Sequence, residues 1–101
     1  MYLIIWEYHV KADGIKEFER IYKPDGTWAE LFRKGVGFLS TELLRDEKDP
    51  QHYLTIDRWA SSEDYETFRS RWKEQYHLLD AQCTDLCERE SYSGSWVIVD
   101  E

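Results

Sequence analysis

Tyr53-Leu54-Thr55-Ile56-Asp57-Arg58-Trp59-Ala60-Ser61-Ser62-Glu63-Asp64-Tyr65-Glu66-Thr67-Phe68 reads as a short strand running without a linker into a capped amphipathic helix. Side chains in a strand repeat every two residues, so Tyr53, Thr55, Asp57 and Trp59 share one face while Leu54 and Ile56 share the other. The second face is plain hydrocarbon. The first mixes two aromatic rings with a hydroxyl and a carboxylate, which suits the wall of a ligand cavity better than it suits solvent. Ser61 stands three residues before Asp64, the spacing of a reciprocal N-terminal cap, and sets the start of the helix.

Outward from this stretch, Gln51 to Trp59 pairs with a preceding strand, Val36 to Asp46, across the charged loop Asp46-Glu47-Lys48-Asp49-Pro50. In that strand Phe38, Ser40, Glu42 and Leu44 alternate with Leu39, Thr41 and Leu43. Downstream, Tyr65, Phe68, Trp72, Tyr76, Leu79, Cys83 and Leu86 recur at steps of three and four, one apolar stripe on a long helix. Unbroken to Glu88, that helix would run about 42 Å at 1.5 Å per residue, longer than a small sheet can cover, so the spacing predicts a bend near Tyr76 to Leu79. The Glu and Arg alternation from Glu63 to Glu74 reads as a solvated face. Arg89 to Val99 supplies a last strand, weakened in its middle by Ser93-Gly94-Ser95.

The chain starts with a strand, Tyr2 to Val10. Tyr2, Ile4, Trp6, Tyr8 and Val10 make a wholly apolar face; Leu3, Ile5, Glu7 and His9 make one that is apolar at one end and ionisable at the other. Such a strand is covered on both sides. A helix from Asp13 or Gly14 to Tyr22 buries Ile15, Phe18, Ile21 and Tyr22. Pro24-Asp25-Gly26 interrupts it, and the Thr27 and Glu30 capping pair predicts a short second piece ending at Gly35.

Strand, helix, strand, strand, helix, strand is a split β-α-β unit used twice, the ferredoxin-like α+β arrangement with both helical layers on one face of a four-stranded antiparallel sheet. The opposite face, carrying Leu3, Ile5, Tyr53 and Trp59 on this reading, is too apolar for water. A second copy of the sheet packed across a two-fold axis would cover it, so the expected partner is the protein itself, as a homodimer.

Composition excludes several function classes. The 101 residues fit one domain, and with 42% hydrophobic and 16% aromatic residues the chain folds despite 34% charge. Thirteen Lys and Arg against twenty-one Asp and Glu give a formal charge of -8, which repels a phosphate backbone; nucleic acid is not an expected partner. No apolar run reaches the length that crosses a bilayer, and no secretory signal pattern opens the chain, so the expectation is a soluble cytoplasmic protein with no membrane contact. Cys83 and Cys87 lie four apart on a helix and read as two reduced, half-buried thiols. The three histidines form no pair at ligand spacing, so no metal site is expected.

With this element order, the Tyr-Leu-Thr-Ile-Asp-Arg-Trp strand and the Ser-Ser-Glu-Asp-Tyr helix start, the sequence resembles the antibiotic biosynthesis monooxygenase domain of the dimeric α+β barrel superfamily over nearly its whole length. The resemblance implies a homodimer and a cavity between sheet and helices for a small aromatic molecule. It also implies cofactor-independent oxygenation, in which a deprotonated substrate reacts with dioxygen without flavin or metal. The family's active-site Trp matches Trp59, its Tyr six residues later matches Tyr65, and its Asn four residues before the Trp is Thr55 here. No residue matches the family's catalytic Arg and His. The haem-degrading branch of the superfamily has a first-strand Asn, absent here, a helical Trp whose counterpart would be Phe68 or Trp72, and a His ligand whose counterpart would be His77.

The candidate catalytic set is therefore Asp57, His9, Trp59 and Tyr65, with Thr55, Tyr53, Glu7, Trp28, Phe68 and His77 as substrate-binding candidates. Asp57 in a dry cavity would have a raised pKa, as a base for a weakly acidic substrate needs; alternatively it pairs with an arginine or sits exposed at a strand end. Glu7 and His9 could meet Asp57 across the sheet, His9 as a proton shuttle, or be solvated at the strand end. Trp59 reads as a stacking wall or as core, Trp28 as a pocket mouth or as packing, and His77 as a ligand or a helix-surface residue. Trp6, Trp72 and Trp96 read as packing, and His52 as exposed. A barrel that merely packs, with no room for a ligand, is the alternative to an enzyme.

Overall fold

A computed structural model describes residues 1–99. The elements follow the expected order: β1 (Tyr2–Val10), a 3₁₀ turn (Ala12–Gly14), α1 (Ile15–Tyr22), α2 (Thr27–Phe32), β2 (Phe38–Arg45), β3 (His52–Trp59), α3 (Ser62–Arg71), α4 (Lys73–Cys83), a second 3₁₀ turn (Thr84–Leu86) and β4 (Cys87–Val97). The strands form one antiparallel sheet in the order β2-β3-β1-β4. One aromatic-rich core lies between that sheet and the helices, joining Ile4, Tyr8 and Val10 of β1 to Phe18, Ile21, Trp28, Phe32, Phe68 and Leu79. This is the ferredoxin-like α+β fold.

Register decides which side chains enter the core. Tyr2 stands opposite Trp59, Ile4 opposite Asp57, Trp6 opposite Thr55 and Tyr8 opposite Tyr53. The even positions of β1 and the odd positions of β3 therefore share the helix-covered face, and Tyr53 and Trp59 are buried there, 1% and 0% exposed. This corrects the placement of those two residues on the uncovered face. That face carries Leu3, Ile5, Leu54 and Ile56 instead, with Leu44 and Trp96 exposed beside them.

Four local departures have physical causes. In β2 the pairing steps from Phe38 with Trp59 to Ser40 with Arg58, so Leu39 is an extra residue and Phe38 joins Thr41 on the core side. A Cβ at Gly26 would lie 2.5 Å from the Ile21 carbonyl oxygen; glycine closes the tight turn after α1 and caps α2, and Thr27 makes no cap bond. The long helix breaks at Trp72, one turn before the expected bend, and the break re-aims α4 so that Tyr76 meets Trp28 edge-on at 5.0 Å. In β4 the register shifts opposite Ile5 and Trp6, and Gly94 beside the shift takes φ +146°, a backbone region that side chains disfavour.

Ser61 caps α3 as expected: its hydroxyl accepts the Asp64 N–H at 3.1 Å. Ser61→Ala should cost about 1 kcal/mol, read as a lower urea midpoint at unchanged slope. Cys83 and Cys87 are free, and burial raises both thiols, Cys87 to about 12. No helix of the described residues is long and apolar enough to cross a membrane.

Candidate active site

The cavity arises from a mismatch of side-chain sizes. Thr41, Thr55 and Asp57 are short, and they sit side by side on the core face of β2 and β3, where the surrounding positions are filled by Tyr8, Tyr53, Phe38 and Trp59. The helices cannot close onto three short groups, and a chamber of about 260 Å³ remains. Its floor is Thr41, Thr55 and Asp57. Trp6 and Tyr8 of β1, Tyr22 of α1, Trp28 and Phe32 of α2 and Tyr76 of α4 wall it with rings, and Arg69, His77, Asp80 and Glu90 complete it.

Asp57 is the buried ionisable group of the floor, 8% exposed. Thr41, its cross-strand neighbour, donates its hydroxyl to Asp57 Oδ1 at 2.7 Å. Burial disfavours the carboxylate and the Thr41 hydrogen bond favours it; burial wins, and the pKa rises to about 6. At neutral pH the group is ionised, yet basic enough to accept a proton. Beside it the Tyr8 hydroxyl and Thr55 Oγ1 lie 3.2 Å apart in hydrogen-bond contact. Burial pushes the Tyr8, Tyr22 and Tyr76 hydroxyls well up, so they stay protonated.

Arg69 brings the cation. Its Nη1 donates to the Tyr65 hydroxyl at 2.9 Å, and its guanidinium lies 3.8 Å from the centre of the Tyr76 ring. Reading Glu63 to Glu74 as a solvated face missed it. Its spacing, four residues after Tyr65 and seven before Tyr76, puts it on the edge of the apolar stripe, and that signal could have found it.

Of the expected site residues, Asp57, Thr55, Trp28 and His77 come together at the cavity. Trp59, Tyr65 and Phe68 lie one layer behind it. The Trp59 ring packs between Phe32, Phe38, Tyr65 and Phe68 at 5.1–5.9 Å, and its indole N–H has no partner among the described residues. Tyr53 is core, donating its hydroxyl to Glu19. Glu7 and His9 occupy the uncovered side of the sheet and cannot reach Asp57, because odd positions of β1 point away from the helices. There Glu7 bonds His52 at 2.6 Å, Asp46 bonds the other ring nitrogen at 2.9 Å, and His9 approaches Asp49 at 3.4 Å. His52 is thus half-buried between two carboxylates that raise its pKa, rather than exposed. Trp6, read as packing, lines the cavity with Tyr8, Tyr22 and Tyr76, none of which the spacing of the sequence assigns to it.

A ferredoxin-like sheet roofed by helices, with an aromatic chamber around a buried carboxylate, defines a small α+β domain with an internal cavity. The sequence profile of the antibiotic biosynthesis monooxygenase family matches residues 1–77, and the chain belongs to that family. Its fold is similar to SnoaB, a cofactor-independent oxygenase from Streptomyces nogalater, at 17% identity and TM-score 0.76 over 99% of this chain and 94% of that one. Rv0793 from Mycobacterium tuberculosis is similar at 17% identity and TM-score 0.75, over 99% and 96%. A candidate antibiotic biosynthesis monooxygenase from Deinococcus radiodurans is similar at 15% identity and TM-score 0.77, over 100% and 95%. A search of curated proteins finds no match.

Proposed function

We propose that the protein is a cofactor-independent monooxygenase acting on a small aromatic or quinol-like molecule in this chamber, with Asp57 as the base. The observation that carries the reading is a carboxylate poised near pH 6 on the floor of a ring-lined cavity. Family membership supports the reaction type. The chamber falls just under the roughly 300–1,000 Å³ of pockets that take drug-sized ligands, which fits a one- or two-ring substrate and leaves no room for a porphyrin.

Asp57 takes the phenolic proton, and the electron-rich ring carbon reacts with dioxygen to form a carbon–oxygen bond as a peroxide. Asp57 returns its proton to the distal oxygen, the O–O bond breaks, and water leaves as the ring C–H proton is lost. A quinol plus dioxygen becomes a hydroxyquinone plus water. Arg69 and the Tyr8 hydroxyl face the developing anion. Tyr65 positions Arg69, and Trp59 supports Tyr65 from behind at 5.4 Å.

The protein works as a homodimer on this reading. Leu3, Ile5, Leu54 and Ile56 form a continuous apolar band on the uncovered sheet face, flanked by exposed Leu44 and Trp96, and a second copy would bury it. In sedimentation we expect a dimer at micromolar concentration, and Ile5→Asp should give a monomer.

Incubation with hydroquinone or naphthohydroquinone under isotopically labelled dioxygen tests the activity. We expect one labelled oxygen in the hydroxyquinone and the other in water, at a rate Asp57→Asn does not support. Product formed at the same rate by Asp57→Asn, or no label in the product, overturns the proposal.

A further inference from the structure

The chamber is acidic as well as aromatic. Asp57 lies on the floor with only Oδ1 taken, by Thr41; Oδ2 accepts no hydrogen bond among the described residues. Asp80 and Glu90 stand on the exposed side of the same cavity, and neither forms an ion pair among the described residues. Three carboxylates and His77 thus share the cavity with one arginine, and Arg69, which feels the charge of Asp80, is already engaged by the Tyr65 hydroxyl and the Tyr76 ring. Partial burial, and after it the charge of Asp80, raise the Glu90 carboxyl. Ring faces attract cations too, and two Trp and three Tyr residues line this space. The chain's formal charge of -8 adds a long-range bias in the same direction.

Resting on the reading of this chamber as the substrate site, we infer that its ligand is a phenol bearing a basic nitrogen, with the ring among Trp6, Trp28 and Tyr76, the hydroxyl at Asp57 and the ammonium between Asp80 and Glu90. An aromatic carboxylate of the same size is rejected, because its charge would enter beside three acids. A neutral phenol is intermediate. Selection by charge therefore lies at the mouth, while the chemistry lies at the floor.

Three probes of nearly equal size separate these cases: tyramine, 4-ethylphenol and 4-hydroxyphenylacetate, titrated calorimetrically into the purified protein at pH 7.5 and low salt. We expect tyramine to bind about tenfold more tightly than 4-ethylphenol, with 4-hydroxyphenylacetate weaker by at least a further factor of about ten. Added salt should narrow the spread. The double variant Asp80→Asn with Glu90→Gln should bring the three within about threefold while leaving 4-ethylphenol unchanged. Equal or tighter binding of the carboxylate, an unchanged order in the double variant, or no binding of any probe overturns the inference. Because the readout is binding, the outcome is separable from the oxygenation assay: charge selection without oxygen incorporation leaves this inference standing and removes the monooxygenase reading. Oxygen incorporation without charge selection does the reverse.

Discussion

Asp57→Asn should slow turnover severely and make the protein more stable at neutral pH. Loss of a positioned base costs about 10²- to 10⁴-fold in rate. The stability gain follows from the same burial. The carboxyl of Asp57 titrates at about 6 in the folded state against an ordinary 3.8, so between those values the folded chain holds a proton that the unfolded chain has released. Folding stability therefore falls as pH rises from about 4 to 6, and the full penalty persists above. It is on the order of 2–3 kcal/mol, because each tenfold difference in proton affinity between the folded and unfolded chain is worth about 1.36 kcal/mol. Asparagine has no charge to bury and keeps an oxygen for the Thr41 hydroxyl. We expect Asp57→Asn to melt several degrees higher at pH 7.5 and to lose that advantage near pH 4. A variant equally inactive but less stable at pH 7.5 would mean the carboxylate is a structural anchor.

Trp59 is the second large effect. Its side chain is fully buried against four rings, so Trp59→Ala should cost about 3–5 kcal/mol in urea unfolding. Trp59→Phe should cost far less: it loses part of the ring but also removes a buried N–H without an acceptor, worth about 1–3 kcal/mol when unpaired. Because Trp59 stands behind the cavity wall, Trp59→Phe should change KM by no more than a few-fold. A tenfold rise in KM at unchanged stability would put the indole against substrate.

How far the sequence could be read depended on which contacts are local. The Ser61 cap, the β1 alternation and the strand that ends at Trp59 all follow from spacing within one element, and the structure has them. Strand pairing does not follow from spacing. The parity of β3 was legible, but which of its faces meets the helices depends on the register with β1, and Tyr53 and Trp59 went to the wrong side. The same register removes Glu7 and His9 from Asp57. The cavity was legible only in part, because Thr55 and Asp57 announce it by being polar on an aromatic strand, whereas Tyr8, Tyr22 and Tyr76 look like core wherever they occur. Arg69 was hidden by its neighbours: a helix face rich in Glu and Arg reads as solvated until the break at Trp72 turns Tyr76 toward the guanidinium.

Proton abstraction in this chamber needs a carboxylate held dry among rings until a substrate reaches it. An NMR titration following the side-chain carboxyl carbon of Asp57 measures that directly in the free protein. A midpoint near 6 is the predicted result; a midpoint at or below about 4, the ordinary range for an aspartate, would contradict it.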